Sequence, residues 1–457
     1  MKGVVRMQRR QHRVPVSSGL LAFILFLICL WAAGGASRDD VAGQVVVRTV
    51  SWLILIGLAL LAPTNGRRGG VAVPVLLFAS LGLVLLQLVP LPPDLWLSLP
   101  GRAAFAAADD FSGLRSWRPI AIVPSAAINA AGALIVPVAT YGLMKLIARS
   151  EDDRLLGTIL ALVMAAAVVG VAQFAGLALN DPFVNSGGEP SSVFANRNHF
   201  ALFLAIGCLL APVWALKHDN VVVWRIFVAA AITPLFLLLI LASGSRAGML
   251  VGLLAMIGGV AMVWRAGGLS TLALPRWAIP AIGAGFALLL LLLVALSYGG
   301  NRAVGIDRLL SASVEGDMRR RGLGTVLAMM AQYFPLGSGF GGFDPLFRLH
   351  EPYNLLKPTY FNHAHNDFLE VVLDGGLPAA IILAAAALWW ARRSFVAWRS
   401  ISIDRLPAAG STIIFLVGVA SVFDYPARTP MVMALLVIAA VWLSGGPESE
   451  TISSTAV

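Results

Sequence analysis

The side chains best suited to chemistry in this sequence lie in four short polar segments, each beside a long apolar run. The segments are FANRNHF at 194–200, SGSRAG at 243–248, MRRRGLGTVLAMMAQYFPLGSGFGGF at 318–343 and FNHAHNDFLEVVLDGG at 361–376. A central arginine in a membrane span costs about 2.5–3.5 kcal/mol on insertion scales, so charged groups beside apolar runs usually serve a function. Arginine and histidine together suit phosphate binding and proton transfer.

The last segment has the highest density of such groups. Within a dozen residues it contains His363, His365, Asn366, Asp367, Glu370 and Asp374. Three of these follow an i, i+4, i+8 spacing, so on a helix they would share one face just beneath the histidines: Asn366, Glu370 and Asp374. Histidine has a reference pKa of about 6.5, which suits a general base at neutral pH. This segment is therefore the first candidate for proton transfer.

Arginines in the other three segments are candidates for phosphate recognition, because guanidinium groups bind phosphate bidentately and stay charged at any working pH. The candidates, with one histidine beside the first, are Arg197, His199, Arg246, Arg319, Arg320 and Arg321. Structural alternatives stay open for each segment. FANRNHF also fits a helix cap with a snorkelling arginine, SGSRAG a tight turn between helices, and the arginine triplet an interfacial anchor.

Other chemistries fit less well. His363, His365 and Asp367 have the H-x-H-x-D order of zinc hydrolases, but those enzymes need further ligands on a soluble scaffold. GSGFGG fits G-x-G-x-x-G without a preceding strand or a βαβ unit, which excludes a dinucleotide site and leaves a flexible turn. Ser245 with a histidine would suit an intramembrane protease, but G-x-S-G is missing. We expect no metal and no cofactor.

The apolar runs define the elements that must position these groups. The chain is 58% apolar and only 12% charged, whereas soluble domains are about 45–50% apolar and 25% charged. Runs long enough for a spanning helix, about 20 residues, lie near 18–35, 45–62, 71–90, 122–144, 155–177, 198–216, 223–243, 246–264, 277–297, 367–391, 408–424 and 429–445. The sequence therefore predicts an all-α polytopic membrane protein with about twelve transmembrane helices.

The basic residues predict the orientation of these spans. The net charge of +10 is spread over short loops, as expected of topology signals rather than of nucleic-acid binding. With a cytoplasmic N-terminus, the cytoplasmic loops contain Arg67, Arg68, Lys145, Arg149, Arg154, Lys217, Arg225, Arg265, Arg276, Arg392, Arg393, Arg399 and Arg405. Both termini are therefore predicted to be cytoplasmic. Cys29 and Cys208 lie inside apolar runs, so a disulfide framework is not expected.

This topology divides the chain into four parts. They are a membrane region with about nine spans at 1–297, a large periplasmic loop at 298–366, the last spans at 367–445 and a disordered cytoplasmic tail at 446–457. A smaller Pro-rich segment at 91–121 also lies outside. The N-terminus, with its basic start and WAAGGAS, resembles a signal peptide, but the many following spans favour a retained helix.

Within the large loop, the arginine triplet precedes apolar residues at helical spacing. These residues are Leu323, Val326, Leu327, Met330 and Phe334. The pattern predicts an amphipathic helix lying on the outer membrane surface.

All four polar segments map to the outer side, where neither ATP nor nucleotide sugars are present. A transfer reaction there needs a preactivated donor, such as a sugar on a lipid diphosphate. Arginines could stabilise the diphosphate charge that develops when the glycosidic bond breaks, a role often given to Mg²⁺. A histidine could take the proton from an acceptor hydroxyl, and this in-line attack would invert the anomeric centre.

With these motifs in this order, the chain resembles the O-antigen ligase and O-antigen polymerase superfamily of bacterial envelope proteins. The shared features are NRNHFA, SGSRAG, an arginine-led helix ending in PLGSGFGGF, and HAHNDFLEVVLDGG, and they cover residues 155–390. The resemblance implies a GT-C-like glycosyltransferase of the bacterial inner membrane. It also implies a metal-independent, inverting reaction on polyprenyl-diphosphate-linked glycans.

The resemblance also implies roles for single residues. It assigns catalytic roles to His365, Arg246 and the loop arginine Arg319. The usual aromatic residue of the loop helix is replaced by small residues around Gly324 and Thr325, so the register within the arginine triplet stays open. The expected diphosphate- or glycan-binding residues are Arg197, His199, Arg320, Arg321, His363 and Asn366.

The expected partners are the lipid-linked donor, membrane lipids and an acceptor, either lipid A-core or a growing glycan; nucleic acid is not expected. A ligase passes a finished glycan to lipid A-core, a polymerase joins repeat units, and the motifs do not separate them. A third branch, which modifies protein, often has added C-terminal domains. A transporter of the same lipids would need polar groups near the bilayer midplane, and an assembly partner would not need His365 beside so many arginines.

Overall fold

The computed structural model describes residues 17–61, 70–113, 115–184, 190–216, 222–265, 284, 314–356 and 361–445. The predicted span at 277–297, apart from Ala284, and the predicted tail at 446–457 lie outside these ranges, as does the beginning of the large loop. Among the described residues the only β structure is one antiparallel pair, β1 (Pro90–Leu91) with β2 (Arg118–Pro119).

Helices form the rest of the regular structure. In chain order they are α1 (Ser18–Ala33), α2 (Ala42–Leu61), α3 (Ala72–Leu86), α4 (Pro93–Leu97), α5 (Ala103–Ser112), α6 (Pro124–Ala133), α7 (Ile135–Leu146), α8 (Asp152–Phe174), α9 (Arg197–Ala215), α10 (Val223–Ala242), α11 (Arg246–Arg265), α12 (Val314–Tyr333), α13 (Phe343–His350), α14 (Asp367–Arg399), α15 (Leu406–Phe423) and α16 (Pro430–Ser444). Short 3₁₀ turns cover Arg149–Glu151, Tyr353–Leu355 and Pro426–Arg428.

Eight helical stretches of the described chain are long and apolar enough to cross a membrane. They are α2, α6 with α7, α8 with the 3₁₀ turn before it, α9, α10, α11, α14 and α15. Three shorter apolar helices, α1, α3 and α16, coincide with other predicted spans. The predicted class of all-α polytopic membrane protein is therefore confirmed, while the total of about twelve spans and the domain boundaries stay predictions.

Helix α9 lies at the centre of the helical core. Its residues Phe203 and Ile206 are fully buried, as are the two between them, so every face of the helix is covered. A Cβ atom on Gly207 would lie 2.5 Å from Val163 of α8 and 2.8 Å from Phe236 of α10. The missing side chain thus lets both neighbours approach closely. As a result, the FANRNHF segment sits at the N-terminal end of a fully enclosed helix.

Helix α1 is packed into this core together with the small residues that follow it. Six of its side chains are buried. The carbonyl oxygen of Gly34 accepts a hydrogen bond from the amide of Met431 at 3.1 Å, and that of Gly35 accepts one from Ala195 at 3.1 Å. The segment that resembles a signal-peptide cleavage site therefore supports the chain before α9 and at the start of α16.

The predicted Pro-rich outer segment is folded around a buried arginine. Arg102 is only 1% exposed and donates hydrogen bonds to the carbonyl oxygens of Ile120 at 2.6 Å and Gly337 at 3.2 Å. Its guanidinium lies 5.7 Å from the ring of Trp96 and 5.6 Å from that of Tyr333. Burial lowers the pKa of Arg102 to about 10. Arg102 thus ties this segment to the large loop.

The amphipathic helix of the large loop is present as α12, but its apolar face is divided. The residues that pack on α13 and the first turns of α14 are Val326, Met329 and Tyr333. The predicted apolar residues that stay exposed, by 42–48%, are Leu323, Leu327 and Phe334. A small core lies beneath α12 and covers one side of it. Contact with the membrane stays a prediction for the exposed stripe.

The glycine-rich GSGFGG element is a closely packed connection rather than the flexible turn that we expected. Helix α14 breaks at Gly376, whose backbone adopts φ 60° and ψ −146°. The amide of Leu377 instead donates to the carbonyl oxygen of Pro335 at 2.7 Å, and the amide of Gly339 donates to the backbone carbonyl oxygen of Asp374 at 2.9 Å. A Cβ atom on Gly376 would lie 2.0 Å from the oxygen of Pro335. The glycines therefore allow two backbones to meet.

Candidate active site

The candidate site begins with His365, which directly precedes the capping residue of α14. Its backbone lies in the left-handed region, with φ 50°, an unusual conformation for a residue other than glycine. Its Nδ1 lies 3.0 Å from Oδ1 of Asp424, which is 2% exposed. An ionised carboxylate only accepts, so Nδ1–H donates to Asp424 and Nε2 is the acceptor of the neutral ring. This is the arrangement of a general base held by a carboxylate.

Asp424 also joins two other polar segments to this histidine. Its Oδ2 accepts hydrogen bonds from the amide groups of Asn196 at 2.8 Å and Asn198 at 2.6 Å. The Oδ1 of Asn198 in turn accepts from the hydroxyl of Ser245 at 2.6 Å. A continuous chain of hydrogen bonds therefore connects SGSRAG, FANRNHF and the histidine segment, with Asp424 at the junction.

His363 forms a second histidine–carboxylate pair beside the first. Its Nδ1 lies 2.9 Å from Oε1 of Glu370, a fully buried side chain, and the amide of Ala364 donates to the other carboxylate oxygen at 2.8 Å. The ring of Tyr425 lies near both histidines, with its centroid 4.1 Å from that of His363 and 5.1 Å from that of His365. Glu370 and Tyr425 thus fix the conformation of the loop that carries both imidazoles.

Beneath the histidines, Arg428 faces three carboxylates of α14. Its Nε lies 3.2 Å from Asp367, one terminal nitrogen lies 3.1 Å from Glu370, and the other lies 3.8 Å from Asp374. Burial opposes the charged form of Arg428, but the carboxylates of Glu370, Asp374 and Asp367 outweigh it and raise the pKa above its ordinary value. Arg428 therefore stays a permanent cation.

Two of the predicted arginines flank the hydrogen-bonded chain. Arg197 is the first residue of α9 and follows Asn196, which caps that helix by accepting from the amide of Asn198. Arg246 is the first residue of α11, directly after Ser245, and its side chain is exposed. Both guanidinium groups thus extend from residues next to the network.

The arginine triplet lies at the N-terminal half of α12. Arg320 and Arg321 are exposed, and Arg321 donates to the carbonyl oxygen of Asn354 at 2.8 Å. The side chain of Arg319, the residue that best matches the expected loop arginine, lies outside the described part of the structure. Which arginine of the triplet has the expected role stays a prediction.

Phe361 is close both to the helix that carries the triplet and to the imidazole of His365. A Cβ atom on Gly322 would lie 3.4 Å from the ring of Phe361, and the centroid of that ring lies 5.2 Å from the His365 imidazole. Gly322 directly follows Arg321. Phe361 therefore lies close both to the residue that follows the triplet and to the His365 imidazole.

Two predicted binding residues have partners within the protein. His199 is 2% exposed and its Nδ1 lies 3.0 Å from the hydroxyl of Thr429. Asn366 caps α14: its side chain accepts from the amide of Leu369 at 3.0 Å and donates to the carbonyl oxygen of Val422 at 3.1 Å. Both residues are consistent with a positioning role, and direct substrate contact stays a prediction.

The zinc-like order of His363, His365 and Asp367 does not produce a shared ligand site. The two histidines bind different carboxylates, and Asp367 accepts from Ser421 and Arg428. In the part of the chain that the structure describes, no group of three or more His, Cys, Asp or Glu side chains could hold a metal ion.

The sequence reasoning missed three residues of the site: Asp424, Tyr425 and Arg428. They belong to DYPAR, the short connection between α15 and α16. A signal was present, because two opposite charges four residues apart stand in an otherwise apolar stretch of two predicted spans.

Part of this chain is similar to a known protein family. Residues 231–384, about a third of the chain, match the family model described as O-antigen ligase. The matched region contains SGSRAG, the arginine triplet and the histidine segment, whereas Asn196, Asn198, Asp424 and Arg428 lie outside it. No curated protein matches the chain. The predicted resemblance to the O-antigen ligase and polymerase superfamily is confirmed.

Proposed function

We propose that this chain, whose residues 231–384 match the O-antigen ligase family model, is a membrane glycosyltransferase that moves a glycan from a polyprenyl diphosphate to a hydroxyl group. The proposed reaction occurs at the periplasmic face of the bacterial inner membrane. The observation that carries this proposal is the pair formed by His365 and Asp424, hydrogen-bonded at 3.0 Å. This pairing leaves Nε2 of His365 as the acceptor that a general base needs, and two asparagines hold the carboxylate of Asp424 in place.

In the proposed step the acceptor hydroxyl is the nucleophile. Its oxygen attacks the anomeric carbon of the donor sugar, and Nε2 of His365 takes the hydroxyl proton. Asp424 keeps Nδ1 protonated, so that Nε2 stays available, and it stabilises the imidazolium that forms. The asparagines on Asp424 fix the carboxylate in turn. The carboxylate thereby orients the base without itself taking a proton.

The bond between the anomeric carbon and the diphosphate oxygen breaks as the new bond forms. Its electron pair leaves with the polyprenyl diphosphate, and opposite-side attack inverts the anomeric centre. Arg246 and Arg197, next to the network, and the triplet on α12 would bind this growing negative charge. Permanently charged guanidinium groups can do this without a metal ion, which supports a metal-independent reaction.

The experiment that tests the proposal is transfer by the purified protein in lipid nanodiscs. Polyprenyl-diphosphate glycan is mixed with lipid A-core or with a second repeat unit, and product length is measured by gel and mass spectrometry. One transfer per acceptor would support a ligase, and a ladder of lengths a polymerase. Absence of any glycan transfer with either acceptor, from protein shown to be folded, would contradict the proposed function.

A transporter of the same lipids is the competing class, and it would give no glycan product in the transfer assay. The enzyme proposal also requires the site to face the periplasm, which a labelling experiment tests. Single cysteines at Arg320 and at Arg265, which lie at the predicted outer and inner ends of the molecule, can be labelled with a membrane-impermeant maleimide on intact spheroplasts. The enzyme proposal expects labelling of the Arg320→Cys protein alone. Labelling of Arg265→Cys alone would place the site in the cytosol and exclude the proposed reaction.

A further inference from the structure

The connection between α15 and α16 contacts the histidine loop and the first turns of α14 through almost every one of its residues. Asp424 binds His365, and the ring of Tyr425 lies against both imidazoles. The amide of Ala427 donates to the carboxylate of Asp367 at 3.1 Å, and Nε of Arg428 lies 3.2 Å from the same carboxylate. This five-residue turn lies outside the region that matches the family model. We call it the DYPAR turn.

Arg428 is the anchor of this turn. Each of its three nitrogens points to a different carboxylate, and these acids follow one another along the inner face of α14. Glu370 and Asp374 are fully buried, and Asp367 is 6% exposed. Buried carboxylates without a cation are strongly unfavourable, so the turn and the helix are stable only when they are in contact.

The fork of the guanidinium is essential to this arrangement. Lysine carries one compact charge and could satisfy one of the acids, whereas the planar guanidinium reaches Asp367 and Glu370 together. Glu370 is itself the partner of His363. Arg428 and the histidine loop are therefore connected through one shared carboxylate as well as through the chain of the turn.

We infer that Arg428 is a positioning residue for the base: it clamps the DYPAR turn onto α14 and so holds Asp424 at hydrogen-bond distance from His365. Arg428 touches neither the reacting hydroxyl nor the diphosphate in this assignment. It acts through Asp424, four residues earlier on the same turn. The inference rests on the proposed function, in which His365 is the base.

The direct test is Arg428→Lys in purified protein, with steady-state glycan transfer as readout. Misplacing a catalytic pair by about 1 Å can lower the rate by about 100-fold, so we expect kcat to fall about 10- to 100-fold. KM for the lipid-linked donor should change by less than about threefold, because the diphosphate is bound elsewhere. Arg393→Lys is the matched control, since Arg393 lies near the other end of α14 and donates to the carbonyl oxygens of Leu443 and Ser444. It should keep wild-type kcat.

A double-mutant cycle distinguishes positioning from a general structural role. If Arg428 acts through Asp424, then Arg428→Lys should lower kcat by less than about twofold in an Asp424→Asn background. A residue that merely stabilises the fold would lower kcat by the same factor in both backgrounds. Equal factors would therefore overturn the inference.

Arg428→Lys leaves buried acids without a full cationic partner, and the variant protein could fail to fold. A second variant therefore tests the same inference with less buried charge. Asp374→Asn removes the most distant acid, at 3.8 Å, and the double variant Asp374→Asn/Arg428→Lys has less uncompensated charge. A folded double variant with reduced kcat supports the inference, and one with the kcat of Asp374→Asn alone contradicts it. If His365→Ala is itself active, the proposed function fails instead, so the two failures can be told apart.

Discussion

Oδ1 of Asp424 lies 3.0 Å from Nδ1 of His365, across 59 positions of sequence. Both side chains are largely shielded, with 15% of His365 and 2% of Asp424 exposed. The remaining oxygen of Asp424 is used by two asparagines of the FANRNHF segment. One carboxylate thus determines both the orientation and the tautomer of the imidazole.

The first prediction concerns this pair. His365→Ala removes the acceptor of the hydroxyl proton and should lower kcat by about 10²- to 10⁴-fold. Asp424→Asn, which leaves an imidazole in place but removes the charge that holds it, should lower kcat by about 100-fold or more. Both are measured as initial rates of glycan transfer. His350→Gln is the control, because His350 binds Gln332 in the large loop and should keep its activity; an active His365→Ala protein would remove the general-base role.

The second prediction compares the two ends of α11. Arg246→Gln removes a guanidinium beside Ser245 and should lower kcat/KM for the lipid-linked donor by about 10²- to 10³-fold, the range found when one group that stabilises developing charge is removed. Arg265→Gln changes the last residue of the same helix and should have little effect. Equal losses for both variants would mean that α11 is sensitive to any lost arginine, and that Arg246 has no special role.

The third prediction concerns metal ions. His363, His365 and Asp367 are each held by a different partner, so chelation should not affect the site. Glycan transfer by purified protein should be unchanged within about twofold after EDTA treatment and gel filtration into metal-free buffer. Loss of activity that added Zn²⁺ or Mg²⁺ restores would show that the arginines do not suffice for the leaving diphosphate.

The fourth prediction concerns the break in α14. Gly376→Ala places a Cβ atom 2.0 Å from a backbone oxygen at a residue with φ 60°, and should destabilise the protein by about 3 kcal/mol or more. Gly418→Ala in α15 meets no atom within 4 Å and should be neutral or slightly stabilising. Thermal melts in detergent measure both. A Gly376→Ala protein with wild-type Tm would mean that the break is not needed.

The helices could be predicted because apolar runs of spanning length leave few other structures open to the backbone. Which face of α12 is buried could not be predicted, because Val326 and Leu327 are equally apolar. Only the core beneath the helix determines that Val326 is buried and Leu327 is not. The histidines were recognisable from their density in one segment. Asp424 was not, since its contact with His365 depends on how α15 packs beside α14, which no local pattern encodes.

The break at Gly376 also restricts how such proteins can be recombined. The carbonyl oxygen of Pro335 accepts from the amide of Leu377, and the carbonyl oxygens of Leu373 and Asp374 accept from the amides of Ser338 and Gly339. Neither piece would find matching partners in a host with a different loop or an unbroken helix. A chimaera between relatives would therefore have to exchange residues 335–342 and 367–377 together. The junctions would have to lie outside both segments.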